Sequence, residues 1–90
     1  MTTAELKRRL TVGARLILVA APWLPEGQTL ERTVTHVRGN SVALRPANLA
    51  EPTHHSWLYW KGVVVTDEPD GSFIVSWQHA PHSQFRYRWP

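Results

Sequence analysis

Two segments of this chain have the two-residue period of a β-strand. In residues 12–20 the apolar side chains at 14, 16, 18 and 20 share one face, while Arg15, Ile17 and Val19 share the other. In residues 28–37 the side chains at 30, 32, 34 and 36 alternate with those at 29, 31, 33, 35 and 37. An arginine, a glycine and an asparagine at 38–40 separate the second segment from residues 41–45. The pattern therefore predicts a first strand followed by a β-hairpin.

A second hairpin is predicted further along the chain. Residues 63–66 and 72–77 are rich in β-branched and aromatic side chains, and the acidic segment 67–71 between them carries Pro69 and Gly71. Proline fixes a φ angle that suits a turn, and glycine accepts a positive one. The acidic segment is interpreted as this turn and not as a calcium loop, because it lacks the ligand spacing of such a loop.

The densest group of strand-favouring side chains is the tryptophan-rich block, residues 56–60. As a strand it would send Trp57 and Tyr59 to one face, while Leu58 and Trp60 would share the other. Both faces then carry large apolar groups. Two interpretations fit this pattern: a central strand covered on both sides, or a strand with one face in the core and the other in a ligand groove. In either case we expect the block to organise the fold.

The first ten residues predict a short helix or arm. Thr2 or Thr3 can cap a helix, and Leu6 and Leu10 form a narrow apolar stripe at a spacing of four. One or two helical turns are marginal alone, so this helix needs to dock on the sheet. The basic run at 7–9 is interpreted as a solvated face, with a phosphate-contacting arm as the alternative.

The last segment, residues 78–90, is an aromatic and basic tail. Within it three aromatic side chains alternate with two arginines at the period of a strand: Phe85, Arg86, Tyr87, Arg88 and Trp89. We interpret it as an extra edge strand whose aromatics complete the core and whose arginines face water. The alternative is an exposed row of side chains, in which the aromatics stack on bases and the arginines pair with phosphates.

Two loops interrupt the strand pattern. Prolines and a glycine end the first strand within residues 22–27, where Trp23 either folds back as a lid on the core or contacts a partner. Residues 46–55 contain two prolines, and their length is typical of a functional or mobile loop.

The 90 residues are expected to form a single domain. In it a short helix or arm over 1–10 precedes a β-barrel over 11–77 and the tail over 78–90. Five to six short strands, with turns about every ten residues, predict an all-β fold of the small antiparallel barrel type.

The segment LTVGARL at 10–16 resembles the start of the first strand in many SH3-like barrels. This resemblance implies an SH3-like barrel over roughly residues 10–77, and an OB-like barrel is the next candidate. The tryptophan-rich block is also similar to short uncharacterised proteins of bacteriophages and other mobile elements, which implies an origin more than an activity.

Composition restricts the setting of the protein. The chain has no cysteine, which excludes disulfides and thiolate zinc sites and favours a reducing compartment. The longest apolar run, residues 16–24, is broken by Pro22 and falls short of the ~20 residues of a membrane helix. We therefore expect a cytoplasmic protein with no membrane partner. A net charge of +3, with basic residues that are mostly arginine, favours anionic partners weakly.

The sequence contains no motif for catalysis or metal binding. His79 and His82 could join one of His54 and His55 around zinc, but no carboxylate or cysteine stands at a fixed spacing from them. Nucleophile elbows, phosphate loops and paired carboxylates are also missing, and a chain this short rarely encloses a substrate pocket. We therefore predict no enzyme activity, no cofactor and no metal.

Binding is the expected function. The leading hypothesis is a protein-interaction or accessory protein of a phage or mobile element, or self-association through a sheet edge. The alternative is a nucleic-acid-binding module whose aromatics stack on bases and whose arginines follow the backbone. The candidate binding residues are aromatic and basic ones: Trp23, Arg38, Arg45, Tyr59, Trp60, Lys61, Arg86, Tyr87, Arg88 and Trp89.

Overall fold

The computed structural model, which describes residues 1–46 and 57–90, contains one short helix and seven β-strands in these ranges. They are α1 (Thr3–Arg9), β1 (Arg15–Ala20), β2 (Leu30–Val37), β3 (Ser41–Arg45), β4 (Trp57–Tyr59), β5 (Val63–Asp67), β6 (Phe73–Trp77) and β7 (Ala80–Arg88). The strands form one antiparallel sheet in the order β4-β3-β2-β1-β7-β6-β5.

The two edge strands of this sheet are consecutive in the chain. Only three residues, Trp60, Lys61 and Gly62, connect β4 to β5. A flat sheet of seven strands would hold its edges roughly 29 Å apart, at about 4.8 Å per strand. Four Cα steps of about 3.8 Å, however, reach no further than roughly 15 Å. The sheet must therefore curl until its edges approach each other.

Backbone hydrogen bonds hold the edges together at this connection. The Trp60 amide donates to the Asn40 carbonyl at 2.9 Å, and the Val63 amide donates to the Trp60 carbonyl at 3.1 Å. The Gln78 amide donates to the carbonyl of Gly62 at 2.8 Å. Gly62 has a φ of +76°, which residues with a side chain rarely adopt. Within the described residues no ladder joins β4 to β5, so the sheet curls without closing into a hydrogen-bonded barrel.

One face of the curled sheet forms the hydrophobic core. The two-residue period of β1 buries Leu16 and Leu18, as the sequence predicts. Every other strand contributes at least one buried apolar or aromatic side chain to the same cluster: Val34, Val42, Leu44, Leu58, Val63, Phe73, Val75 and Tyr87.

Helix α1 docks on this core by the apolar stripe that the sequence predicts. Leu6 and Leu10 are both buried, and the Thr2 hydroxyl caps the helix by accepting from the Glu5 amide at 3.1 Å. The Thr3 hydroxyl donates to the backbone carbonyl of β5 at Val63, 3.1 Å away. The helix is thus held by its capping bond, its buried leucines and a bond to an edge strand.

The predicted all-β class and the short N-terminal helix are confirmed, and both predicted hairpins are present as the β2–β3 and β5–β6 pairs. The sheet has seven strands where five to six were expected. In the turn of the second hairpin, the Asp70 carboxylate accepts from the amide and the hydroxyl of Ser72 at 2.9 and 2.6 Å. The predicted loop 46–55 lies, apart from Pro46, outside the described residues.

The tryptophan-rich block is not a central strand. Its strand, β4, has three residues and lies at a sheet edge, paired only with β3. Leu58 and Trp60 are buried, whereas Trp57 is half-buried and Tyr59 is 49% exposed. The turn that begins at Trp60 ends the strand before a second neighbour can pair with it. The interpretation with one face in the core and the other in a groove agrees with this arrangement.

The tail strand is also placed differently from the prediction. Residues 80–88 do form a strand, β7, but it lies between β1 and β6 and not at an edge. Its register with both neighbours explains this, since Tyr87 stands opposite Leu18 on one side and Phe73 on the other. An interior strand at this position joins the two hairpins into one sheet.

Replacing Gly62 by alanine should destabilise the fold by about 1–2 kcal/mol, because a Cβ is strained at a positive φ. The added Cβ would also lie 3.5 Å from the Nδ1 atom of His79. Gly39→Ala is the matched control, since that glycine has no positive φ and nothing lies within 4 Å of the added atom. Urea denaturation of both variants measures the difference, and equal stability of the two would contradict this account of the turn.

Candidate binding groove

Two neighbouring cavities with shared lining residues lie beside the curled sheet. The inner cavity, of about 540 Å³, is lined by Leu18, Trp23, Arg32, Leu44, Arg45, Pro46, Trp57, Leu58, Trp77, Phe85 and Tyr87. The outer cavity, of about 730 Å³, is lined by Trp57, Tyr59, Lys61, Trp77, His79, Ala80, Ser83 and Phe85. The cavities share Trp57, Trp77 and Phe85, and together they are called the aromatic groove below.

The curl of the sheet brings the walls of the groove together. Trp57 belongs to one edge strand, whereas Trp77 and Phe85 belong to strands on the far side of the sheet order. The indole Nε1 of Trp77 donates to the Tyr59 carbonyl at 3.2 Å, which ties β6 to β4 across the groove. Trp77 and Phe85 meet edge to face, with ring centroids 5.7 Å apart. These contacts fix the aromatic walls before a ligand arrives.

The Trp57 ring contacts basic side chains that do not line the groove. The Arg38 guanidinium lies 4.0 Å from the centroid of the Trp57 ring, and the His36 ring lies 6.1 Å away. Lys7 donates to the carbonyl of Gly39, next to Arg38, at 3.1 Å. The Trp57 ring, which lines both cavities, therefore stacks on a cation.

Aromatic side chains dominate the groove. Six of the nine aromatic residues of the chain line it: Trp23, Trp57, Tyr59, Trp77, Phe85 and Tyr87. Trp23, at 57% exposed, and Tyr59, at 49%, are the two open ones, and they belong to different cavities. The groove thus has one accessible aromatic platform toward each end and rigid aromatic walls between them.

The charged side chains in the described lining of the groove are basic. Arg32 and Arg45 line the inner cavity and Lys61 lines the outer one, while the described lining contains no aspartate or glutamate. Arg45 is only 1% exposed, so its charge lies in the wall. Arg32 is half-buried and donates to the Glu31 carbonyl at 3.1 Å, which leaves further donors on its guanidinium. The lining therefore suits an anionic or acceptor-rich ligand.

Tyr87 adds a neutral hydroxyl to the inner cavity. Burial raises its pKa to about 12, and the nearby charge of Arg32 acts in the opposite direction. The phenol consequently keeps its proton throughout the physiological range. It can donate one hydrogen bond to a ligand or to the protein.

The structure brings five of the predicted binding residues to the groove: Trp23, Arg45, Tyr59, Lys61 and Tyr87. A sixth, Arg38, stacks behind its wall. Tyr87 does not belong to an exposed row of aromatic and basic side chains, because it is only 7% exposed and packs against Phe73.

The other four predicted residues lie elsewhere. Trp60 is a core residue, 9% exposed, on the face opposite Tyr59. Trp89 packs on Phe73 with centroids 5.4 Å apart and carries the Arg9 guanidinium 4.0 Å from its own ring centroid. The strand period sends the arginines of β7 away from the groove. Arg86 pairs with Glu68 at 3.6 Å, and Arg88 is exposed.

Five groove residues with aromatic or basic side chains were missed from sequence: Arg32, Trp57, Trp77, His79 and Phe85. The period of two already placed Trp57 on the face of Tyr59, and this signal would have found it. Arg32 stands opposite Leu16 in the β1–β2 register, on the core side of the sheet. Arg32 follows the same two-residue period as the buried residues of its strand. This period was the signal in the sequence that its side chain faces inward.

In the described part of the chain, no three histidine, cysteine, aspartate or glutamate side chains lie close enough together to hold a metal ion. His54 and His55 are outside that part. No helix within residues 1–46 and 57–90 combines the length and the apolar character that crossing a membrane requires.

Comparison with protein-family models, with curated proteins and with solved structures gives no significant match. The resemblance to SH3-like barrels and to short phage proteins therefore stays a prediction from the residues that carry it.

Stability at high pH should depend on Tyr87. Its folded-state pKa of about 12 lies above the ordinary value of 10.0, so its contribution is complete below pH 10 and is lost as the pH rises toward 12. The loss should reach roughly 2–3 kcal/mol, because each tenfold change in the ionisation constant corresponds to about 1.4 kcal/mol. Denaturation of the protein and of Tyr87→Phe from neutral to alkaline pH measures it: the difference in stability between the two should be constant below pH 10, and above it the protein should lose roughly 2–3 kcal/mol relative to Tyr87→Phe. A difference that stays constant to pH 12 would contradict the buried phenol.

Proposed function

We propose that this protein is a non-enzymatic binding module that takes single-stranded nucleic acid in the aromatic groove. The observation that carries the proposal is the composition of the described lining, in which six aromatic residues occur together with three cations and no carboxylate. Proteins that bind single strands combine stacking platforms with a positive groove that follows the backbone.

The accessible platforms support stacking of unpaired bases. Trp23 and Tyr59 are about half exposed at separate ends of the groove, while Trp57 and Trp77 form its shared wall. Every base has a π face, so stacking of this kind tolerates sequence. A duplex keeps its bases stacked on each other, and its faces are not available to a concave aromatic groove.

The positions of the cations support backbone contacts along the same groove. Lys61 is exposed at the outer cavity and Arg32 lies at the inner one. Phosphates between bases bound at the two cavities would meet these charges in turn. Binding should then weaken with salt by counterion release.

We further infer that the fold is an SH3-like barrel. The inference rests on the Gly13-containing segment that leads into β1, together with a small antiparallel sheet of short strands whose edges curl toward each other. An origin in a phage or mobile element is inferred from the tryptophan-rich block alone.

A second candidate function is the predicted self-association through a sheet edge. Edge strand β5 pairs only with β6. Helix α1 occupies the Val63 carbonyl at the start of this strand, but the residues after it include Val64 and Val65 and no lysine or proline. Val64 is exposed on this strand. A second copy could extend the sheet there.

For self-association, sedimentation equilibrium should give a dimer that Val64→Lys weakens by at least tenfold, because a buried lysine at the contact is costly. Thr66→Lys, further along the same strand, is a comparison for added charge. If the protein is monomeric at all concentrations, self-association is excluded, and the proposal that the groove binds nucleic acid is unaffected.

For nucleic acid, fluorescence anisotropy with labelled single-stranded oligonucleotides at low salt should give dissociation constants below ~100 μM. Tyr59→Ala should weaken binding by about 5- to 100-fold, as expected for the loss of one stacked base. Lys61→Gln should make the salt slope shallower by about 0.7, the value for one phosphate on a single strand.

Arg88→Gln is the matched control, because Arg88 is exposed on β7 but does not line the groove. Its affinity and salt slope should equal those of the unmodified protein. If no oligonucleotide binds at low salt, or if Arg88→Gln weakens binding as much as Lys61→Gln does, the groove is not a nucleic-acid site.

A further inference from the structure

Three turns of the chain meet at one end of the curled sheet. They follow β2, β4 and β6 and comprise residues 38–40, 60–62 and 78–79. Because the strands are antiparallel, all three turns lie at the same end. Backbone hydrogen bonds join them in a row: the Trp60 amide donates to the Asn40 carbonyl at 2.9 Å, and the Gln78 amide donates to the Gly62 carbonyl at 2.8 Å. The three turns therefore form one continuous rim.

Each turn of this rim carries an exposed basic side chain: Arg38 in the first, Lys61 in the second and His79 in the third. The His79 ring packs beside the second turn, since its Nδ1 atom would lie 3.5 Å from a Cβ on Gly62. Helix α1 adds a fourth basic side chain, because Lys7 donates to the Gly39 carbonyl of the first turn at 3.1 Å. These four residues are called the basic ridge below: Lys7, Arg38, Lys61 and His79.

The acidic side chains of the described strands and their turns lie at the opposite end of the sheet. Arg38 follows the end of β2 and Lys61 precedes the start of β5. At the other ends of these two strands, or in the segments beyond them, are Glu26, Glu31, Asp67, Glu68 and Asp70. Glu5 of the helix is two residues from Lys7, a spacing at which helical side chains do not face each other. The ridge therefore suits an anionic partner.

The basic ridge continues from the aromatic groove. Lys61 and His79 belong to the ridge and also line the outer cavity. Arg38 lies 4.0 Å from the centroid of the Trp57 ring, which lines both cavities. Lys7 lines neither cavity, so it is the ridge residue beyond the groove. A chain that leaves the outer cavity past Lys61 would meet Arg38 and Lys7 next.

We propose that the basic ridge is a phosphate-binding surface on which a single strand of nucleic acid continues after it leaves the outer cavity. This inference rests on the proposed function, because the strand reaches the ridge from the groove. The ridge would bind the backbone and not the bases, since its basic side chains are exposed and contacts to phosphate carry no sequence information. It would therefore increase the affinity for strands long enough to extend beyond the groove.

Lys7 is the residue that tests this surface most directly. Its ammonium group has three donors, and the Gly39 carbonyl accepts from one of them, so others are available for a phosphate oxygen. Arg38 is less suitable for a test, because its removal would also change the stacking on Trp57. Lys61 is part of the outer cavity itself.

The test compares oligothymidine probes of about 4 and about 12 nucleotides by fluorescence anisotropy, lengths within the range of single-strand sites. Lys7→Gln should weaken binding of the long probe by about 2- to 5-fold, the effect of one exposed ion pair. The salt slope of the long probe should become shallower by about 0.7. The short probe should be unaffected, because it fits within the groove. Tyr59→Ala should weaken both probes, since both enter the groove.

Arg8→Gln is the matched control, because it removes a positive charge from the neighbouring helix residue. Arg8 is exposed and lies roughly 200° around the helix from the buried Leu6, at about 100° per residue. It therefore points away from the sheet, and its loss should change neither probe. Lys7→Arg should keep the affinity and the salt slope of the unmodified protein, because it keeps the charge.

The outcomes separate the ridge from the groove. If Lys7→Gln weakens the long probe no more than Arg8→Gln does, or weakens both probes equally, the ridge is not a continuation of the site, and single-strand binding in the groove stands. An equal loss in Lys7→Arg would assign the effect to the bond with Gly39 and overturn the phosphate contact. Thermal unfolding establishes that each variant is folded. If neither probe binds the unmodified protein, both proposals fall.

Discussion

The short connection between the two edge strands is the constraint on which the rest of the structure depends. Three residues cannot span a flat seven-stranded sheet, so the sheet curls and brings β4 opposite β6 and β7. Trp57 and Tyr59 then face Trp77 and Phe85, and the Trp77 indole bonds to the Tyr59 carbonyl across the gap. The groove depends on this curl, because Trp57 of β4 would lie far from Trp77 and Phe85 of β6 and β7 in an extended sheet.

The aromatic residues are shared between the core and the groove. Trp60, Phe73 and Trp89 pack in or against the core, while six others line the groove, and three of these six, Trp77, Phe85 and Tyr87, also contact the core. A domain of this size buries only about 60–65% of its extended surface, so each aromatic kept out of the core reduces its stability. Helix α1 offsets part of that loss, since Leu6 and Leu10 fill the core and Arg9 covers the Trp89 ring.

Local patterns in the sequence were sufficient to predict the helix, both hairpins and the buried face of β1, because capping, turns and side-chain period depend on only a few neighbouring residues. They did not reveal where β4 and β7 lie in the sheet. That order depends on pairings between distant segments, such as Leu18 with Tyr87. The same holds for Trp57 and Trp60: the two-residue period separates the two rings, but the pairing of β4 with β3 decides which of them is buried.

The chemistry of the lining decides among the ligands that aromatic clusters usually hold. An aromatic cluster without charge commonly binds a cation, such as a methylated ammonium group, over its ring faces. Here Arg32 lines the same cavity, and like charges would repel such a ligand at close range. Trp57 already has a cation stacked on its ring, the Arg38 guanidinium at 4.0 Å. A second cation over this ring is therefore disfavoured, whereas the proposed ligand, a single-stranded nucleic acid, brings neutral aromatic rings that are linked to negative charge.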